Sequence, residues 1–244
     1  MTAPAATGLS TAAVELIGVT KRFGQGDTAV HALDDVSMRV ERAEFVALMG
    51  PSGCGKSTLL HLAGGLEAPT SGRVLVNGRD LADLDLSGLA ALRRNEVAYV
   101  FQRLNLLAAL TALENVSLPL ELDGVPVKAA RSAAREALAA VGLTQQLDRF
   151  PDDFSGGQQQ RIAIARAIAG ARSVLLADEP TGSLDTRTGD DVIEVLANLP
   201  ERFGTSVVLV THEPRFASWT DRVLFLRDGV VVDQACAPAA AVAR

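Results

Sequence analysis

Toward both ends of this chain, where strands and helices alternate, apolar residues come in short unbroken runs, and in the middle helical spacing takes over. Phe45-Val46-Ala47-Leu48-Met49, Val174-Leu175-Leu176-Ala177 and Val207-Val208-Leu209-Val210 show no polar alternation. That is the form of strands buried on both faces of a parallel sheet. Further strands are expected near 14–20 and 36–40. Arg73-Val74-Leu75-Val76-Asn77-Gly78 reads as a hairpin or tight strand end, since Asn-Gly accepts positive φ, and a second hairpin is expected over 222–233 about Asp228-Gly229. From Gln102 to about Gly170 strand signals vanish and helical ones dominate, most clearly over 128–141. The pattern predicts one α/β domain over about 14–233, with a mainly parallel core sheet, an antiparallel β portion and a helical lobe inserted over about 103–170. Residues 1–13, small and polar, and the Ala/Pro-rich 234–244 are expected to be flexible tails.

Composition narrows the class. The chain has 244 residues, 48% hydrophobic and 21% charged, enough for a sizeable core. Its 23 basic and 29 acidic residues give a net charge of −6, and no basic cluster with interleaved aromatics is present, so nucleic acid is not an expected partner. No apolar stretch approaches the roughly 18 to 20 residues needed to span a bilayer, and no basic-then-apolar leader opens the chain, so direct membrane insertion is not expected. Two cysteines, Cys54 in a glycine-rich loop and Cys236 in the tail, argue against a structural disulfide and fit a reducing, cytoplasmic compartment.

The glycine-rich loop carries the first chemistry. Gly50-Pro51-Ser52-Gly53-Cys54-Gly55-Lys56-Ser57 follows an apolar strand and precedes a helix over 57–63 that Gly64-Gly65 should stop. Glycines at this spacing turn backbone N–H groups toward phosphate oxygens, Lys56 supplies a point charge to the outer phosphates, and Ser57 offers a hydroxyl to Mg²⁺. Lys56 is one of only three lysines in the chain. The helix N-terminus then lies under the phosphates.

Val174 to Glu179 is an apolar run ending in two carboxylates, where strand ends meet ligands. Asp178 is assigned to the metal, and Glu179 to general-base or water-positioning work. Alone, Asp-Glu before Pro180-Thr181-Gly182 is also a common strand terminator. Ser155 and Gln158 form an S-x-x-Q capping box opening a helix through Arg161, Ile164 and Ile168. Ser-Gly-Gly leaves bare backbone there, which a cap by itself does not require. His212 ends the apolar strand over 207–210.

Together these residues resemble the nucleotide-binding domain of ABC (ATP-binding cassette) ATPases, over about residues 14–233. The phosphate loop is similar to Walker A, Val174 to Glu179 to Walker B, and Phe154-Ser155-Gly156-Gly157-Gln158 to the LSGGQ signature with Phe for Leu. Gln102 matches the Q-loop glutamine, Ser183-Leu184-Asp185 the D-loop and His212 the switch histidine. The resemblance implies a P-loop NTPase of ABC type that binds ATP and Mg²⁺. Nucleotide contacts would come from Phe23 on adenine, from Gly50 to Thr58, and, across a head-to-tail homodimer, from Ser155, Gly156, Gly157, Gln158 and Asp185. It further implies that Glu179, His212 and Gln102 are catalytic and that Ser57, Gln102 and Asp178 serve the metal.

The segment 101–120 resembles the branch of lipoprotein-release, macrolide- and peptide-efflux and cell-division ATPases. This implies a separate membrane permease, docked near the leucines after Gln102, and a cytoplasmic protein peripheral to the membrane. An ATPase that signals mechanically through a permease-like protein is the alternative, and a soluble ABC protein of translation or DNA repair a weaker one. In this segment Thr111 and Glu114 predict a capping box, and Pro119 is expected to end the short helix that follows. Leu106 and Leu107 are either lobe core or docking surface.

Overall fold

The computed structural model describes residues 12–24 and 26–236. The remainder of the two expected tails lies outside the described residues.

Two sheets share the core. The larger has six strands, β3 (Phe45–Met49), β6 (Val97–Val100), β7 (Val174–Asp178), β8 (Ser206–Val210), β9 (Arg222–Arg227) and β10 (Val230–Cys236), in the order β10-β9-β3-β8-β7-β6. Five run parallel and only the edge strand β10 is antiparallel. The smaller, antiparallel sheet has the order β2-β1-β4-β5, from β1 (Ala12–Phe23), β2 (Val30–Glu41), β4 (Ser71–Val76) and β5 (Arg79–Asp80). Both expected hairpins are present, turning at Asn77 (φ 49°) and Asp228 (φ 49°), each followed by a glycine of positive φ.

The unbroken apolar runs have the burial their pattern requires, since every residue of β3 and β8 is buried. Val46 and Leu48 pack with α1 (Lys56–Ala63) and the antiparallel sheet, whereas Phe45, Leu175 and Val207 join a second cluster shared with the helices. Those helices are α3 (Ala112–Leu122), α4 (Val127–Ala140) and α5 (Gly156–Ile168), inserted between β6 and β7, with Val116, Ala134, Leu138, Ile162 and Ala165 in their shared core. Helix α2 (Leu86–Asn95) precedes β6, and α6 (Thr186–Ala197) and α7 (Leu199–Phe203) fill the β7–β8 crossover.

Several boundaries differ from the sequence pattern, each for a local reason. Ala12 and Ala13, counted with the tail, are buried in β1, and 234–236 extend β10 along β9, because ladder hydrogen bonds need no large apolar side chain. Strand β2 begins six residues before 36, along a bulged, half-exposed ladder with β1 whose polar residues hide it. Pro119 does not end α3, which runs on to Leu122. Only one helical amide is lost at a proline, and Leu113 and Val116 anchor the helix in the lobe core, so packing outweighs the break. The capping box at Thr111 and Glu114 is formed as expected.

Leu106 and Leu107 divide. Leu106 packs on the lobe core, while Leu107 is 49% exposed. Asn115, buried in α3, holds this stretch by donating to the carbonyls of Leu107, Leu110 and Thr111 and accepting from the Leu107 amide at 2.8 Å.

Candidate active site

In the larger sheet β8 lies between β3 and β7, so the C-terminal ends of three parallel strands meet side by side. The phosphate loop leaves β3, Asp178 and Glu179 leave β7, and Thr211-His212 leaves β8. This is the edge of an open α/β sheet where ligands bind. β6, next to β7, delivers Phe101 and Gln102 to the same edge.

A cleft of about 430 Å³ opens there, lined by Ser52, Gly53, Gly55, Lys56, Ser57, Thr58, Gln102, Asp178 and Glu179. Val30, His31 and Ala32 of β2 complete it, and the sequence pattern did not single them out. The loop glycines have a second reason to be glycine. At Gly55 (φ 107°) a Cβ would stand 2.3 Å from the Ala32 carbonyl, and at Gly50 one would stand 2.1 Å from that of Leu226. The loop is therefore pressed against neighbouring backbone, at Gly55 against the cleft wall itself. Cys54 is buried behind it.

Lys56 is itself buried, and its Nζ donates to the carbonyls of Gly50 at 2.9 Å and Pro51 at 2.8 Å, curling the side chain over the loop. Ser57 Oγ donates to Asp178 Oδ1 at 3.2 Å. Burial pushes the Asp178 carboxyl above its usual range, opposed by the Ser57 hydrogen bond and reinforced by the Glu179 charge. A cation beside it would reverse that penalty. A hydroxyl and a carboxylate at this spacing, open to the cleft, suit a hard cation such as Mg²⁺, which takes few protein ligands and fills its octahedron with water and phosphate oxygens. Among the described residues there is no cluster of three His, Cys, Asp or Glu that would form an all-protein metal cage.

Glu179 holds φ 45°, a left-handed conformation uncommon for a side-chain-bearing residue, with its amide donating to the Val210 carbonyl at 3.0 Å. Its Oε1 lies 3.3 Å from His212 Nδ1. The turn Thr181-Gly182 closes behind it, the Gly182 amide donating to the Glu179 carbonyl. The carboxylate is thus aimed by backbone geometry and by one histidine.

The remaining candidates do not line this cleft. Phe23 is 42% exposed at the end of β1, paired with Val30 at the cleft wall, with Lys21 Nζ 4.9 Å from its ring centre. Ser155 and Gln158 form the reciprocal capping box at the N-terminus of α5. Phe154 is buried in the lobe core with Arg149 over its ring, so it packs rather than reaching a ligand. Gly156 is exposed, but a Cβ at Gly157 would stand 2.0 Å from Thr188 Cγ2, so close packing on α6 requires that glycine. Asp185 is the N-cap of α6, accepting from the Thr188 amide at 3.1 Å and its hydroxyl at 2.7 Å.

A glycine-rich strand–loop–helix facing an acidic strand end across a parallel sheet defines a P-loop nucleoside triphosphatase. Comparison with known proteins makes the class narrower. The family profile described as ABC transporter matches residues 33–182, and the chain belongs to this family, as one of its ATPase cassettes. It is 44% identical over 219 residues to a macrolide export ATP-binding/permease protein MacB of Hyphomonas neptunium, covering 90% of this chain and 34% of that protein. The MacB of Rhodopseudomonas palustris is 46% identical over 229 residues, covering 93% and 35%. The chain spans about a third of the length of these curated relatives. Among solved structures, the dimeric ATP-binding cassette MJ0796 bound to ADP and Pi superposes with a TM-score of 0.84 at 40% identity, over 93% of this chain and 99% of that one.

Proposed function

We propose that two copies of this chain close head to tail around two Mg-ATP and drive a membrane permease in an export or lipoprotein- or peptide-extruding system. The observation that carries this reading is the incompleteness of the cleft: it gathers Lys56, Ser57, Gln102, Asp178 and Glu179, while Ser155, Gly156, Gly157 and Gln158 lie outside it. The dimeric cassette with ADP and Pi supports the pairing. The MacB relatives, named as macrolide export ATP-binding/permease proteins, support the output. No helix among the described residues is long and apolar enough to cross a membrane; by analogy with the MacB relatives, the cassette is assigned to the inner face of the membrane, held there by the permease.

In this reading Phe23 stacks on adenine and the backbone amides between Gly50 and Thr58, Pro51 excepted, cradle the phosphates. Lys56 exchanges its bonds to the Gly50 and Pro51 carbonyls for phosphate oxygens. Ser57 and Asp178, with Gln102, would hold Mg²⁺, which would supply charge neutralisation at the outer phosphates. Glu179 holds the attacking water, and His212 leaves Glu179 for the γ-phosphate. Gly156 and Gly157 of the opposite copy offer free amides to that phosphate at the helix N-terminus that Ser155 and Gln158 cap, with the side chains of Ser155 and Gln158 beside them, and Asp185 shapes the dimer interface through the N-terminus of α6 that it caps.

Gly156→Asp tests the shared site. Gly156 is exposed and a Cβ there meets only Leu184 Cδ2 at 3.3 Å, so the chain should fold, while a carboxylate would face the γ-phosphate across the dimer. With Glu179→Gln present to block turnover, ATP should convert the parent to a dimer on size exclusion and leave the Gly156→Asp form monomeric, with ATP affinity in the monomer unchanged. An ATP dimer of undiminished stability in the Gly156→Asp form would refute a role for the signature across the interface.

Permease docking is tested at Leu107, the exposed member of the leucine pair. A cleft lined by Leu66, Phe101, Pro119 and Arg93, which Leu107 does not itself line, adds a mixed apolar and basic surface that supports a partner site. Leu107→Asp should melt near wild type and bind ATP normally, yet lose at least about tenfold in affinity for the permease, or about 1.4 kcal/mol. Undiminished co-purification would move the docking site elsewhere.

A further inference from the structure

Helix α5 has a functional group at each end. Ser155 to Gln158 open it, and Arg166 sits in its last turn, ten residues beyond Gly156 and so about 15 Å along one rigid rod. From there the guanidinium reaches across to the loop that follows Gln102. Nη2 donates to the Leu104 carbonyl at 2.6 Å and Nη1 to the Asn105 carbonyl at 2.8 Å. Asn105 holds φ 50°, in the left-handed region that asparagine adopts more readily than most residues, so the chain turns there.

Arg166 is half-buried, and no carboxylate forms an ion pair with it among the described residues. Its charge is compensated by loop carbonyls, and burial lowers its pKa accordingly. A desolvated guanidinium with fixed acceptors does not let them go freely. Asn115 pins the same loop further on, at Leu107 and Leu110. Between the end of β6 and the first of these anchors stand only Phe101, Gln102 and Arg103, so the glutamine is placed where the strand and the anchors leave it.

We propose that Arg166 is a positioning residue for ATP hydrolysis: it ties the helix that presents Ser155–Gln158 to the loop that presents Gln102, so a shift of one end is passed to the other. The inference rests on the roles proposed above for Gln102 and the signature residues. It adds a direct mechanical link between them within one chain, independent of bound nucleotide.

The test is a double-mutant cycle on kcat in the purified full chain. Arg166→Met removes the donors and keeps most of the stem. It should lower kcat about tenfold while leaving KM for ATP within about twofold, because Lys56 and Ser57 are untouched. Combined with Gln102→Ala, the loss should be far smaller than the product of the two single losses, the sign that both act through one unit. Arg172→Met is the control for structural damage. Arg172 is also half-buried but bonds the main-chain carbonyls of Arg94, Arg166 and Ala167, not the loop or the Arg166 guanidinium, so its effect should multiply with that of Gln102→Ala. Multiplicative losses for Arg166→Met would overturn the proposal.

If Arg166→Met does not fold, Arg166→Lys, with charge but no fork, enters the same cycle under the same criterion. Should Gln102→Ala leave kcat unchanged, the role of Gln102 fails separately, and the link is judged by amide hydrogen exchange at 155–158. Gln102→Ala should then alter exchange there when Arg166 is intact and not when Arg166→Met is also present. Equal changes in both backgrounds would reject the link.

Discussion

Glu179→Gln is expected to lower kcat by roughly 10²–10⁴-fold, the range typical of a lost general base, with ATP affinity unchanged. The substitution keeps size and hydrogen-bonding reach and removes only the charge. Three observations place that charge where an attacking water would need it. Glu179 directly follows β7 and lines the cleft. Its left-handed backbone, φ 45°, is a strained state that typically costs about 1–3 kcal/mol and persists where the surroundings over-determine it. And His212 Nδ1 stands 3.3 Å away, so one oxygen is oriented while the other remains available. Phosphate release and calorimetric ATP binding, measured on the same preparation, separate the two effects, and the variant should also accumulate as an ATP-bound dimer. Turnover near the wild-type rate would remove Glu179 from the reaction.

Some of this geometry is legible in the chain and some is not, and the division has a physical origin. β3, β7 and β8 are covered on both faces, so their sequences need no alternation and stand out as apolar runs ending in the phosphate loop, Asp-Glu and Thr-His. The capping boxes at Thr111 and Ser155 are equally plain, because each is a local exchange of hydrogen bonds between residues three apart. What stays hidden depends on distant partners. Val30, His31 and Ala32 enter the cleft because β2 lies over Gly55, a contact with no local mark. The four-residue strand β6 acquires its place from pairing with β7. Gly157 looks like bare backbone for an anion, and only the fold shows Thr188 filling the space a Cβ would take. Leu106 and Leu107 are adjacent and chemically identical, and their separation into core and surface is decided by Asn115 gripping the Leu107 backbone. Pro119 shows the converse, a strong local signal overridden by tertiary packing.

Lys56→Ala should fail at an earlier step, with ATP affinity falling by roughly 10- to 150-fold, the equivalent of the about 1.5–3 kcal/mol expected for a hydrogen bond to a charged group. Nζ is held by two loop carbonyls rather than by a carboxylate, so no ion pair has to break before it turns to phosphate. Those carbonyls also define the risk in reading the experiment. Losing the ammonium leaves Gly50 and Pro51 without their donor, and a loosened loop could weaken binding by itself. The two causes separate by comparing ligands and stability. If the charge acts on the outer phosphates, affinity for ATP and ADP should fall much more than affinity for adenosine, and the melting temperature without nucleotide should stay within a few degrees of wild type. A loosened loop would instead lower the melting temperature and weaken all three ligands alike. Unchanged ATP affinity by calorimetry would refute the role assigned to Lys56, and with it the reading of this cleft as the phosphate site.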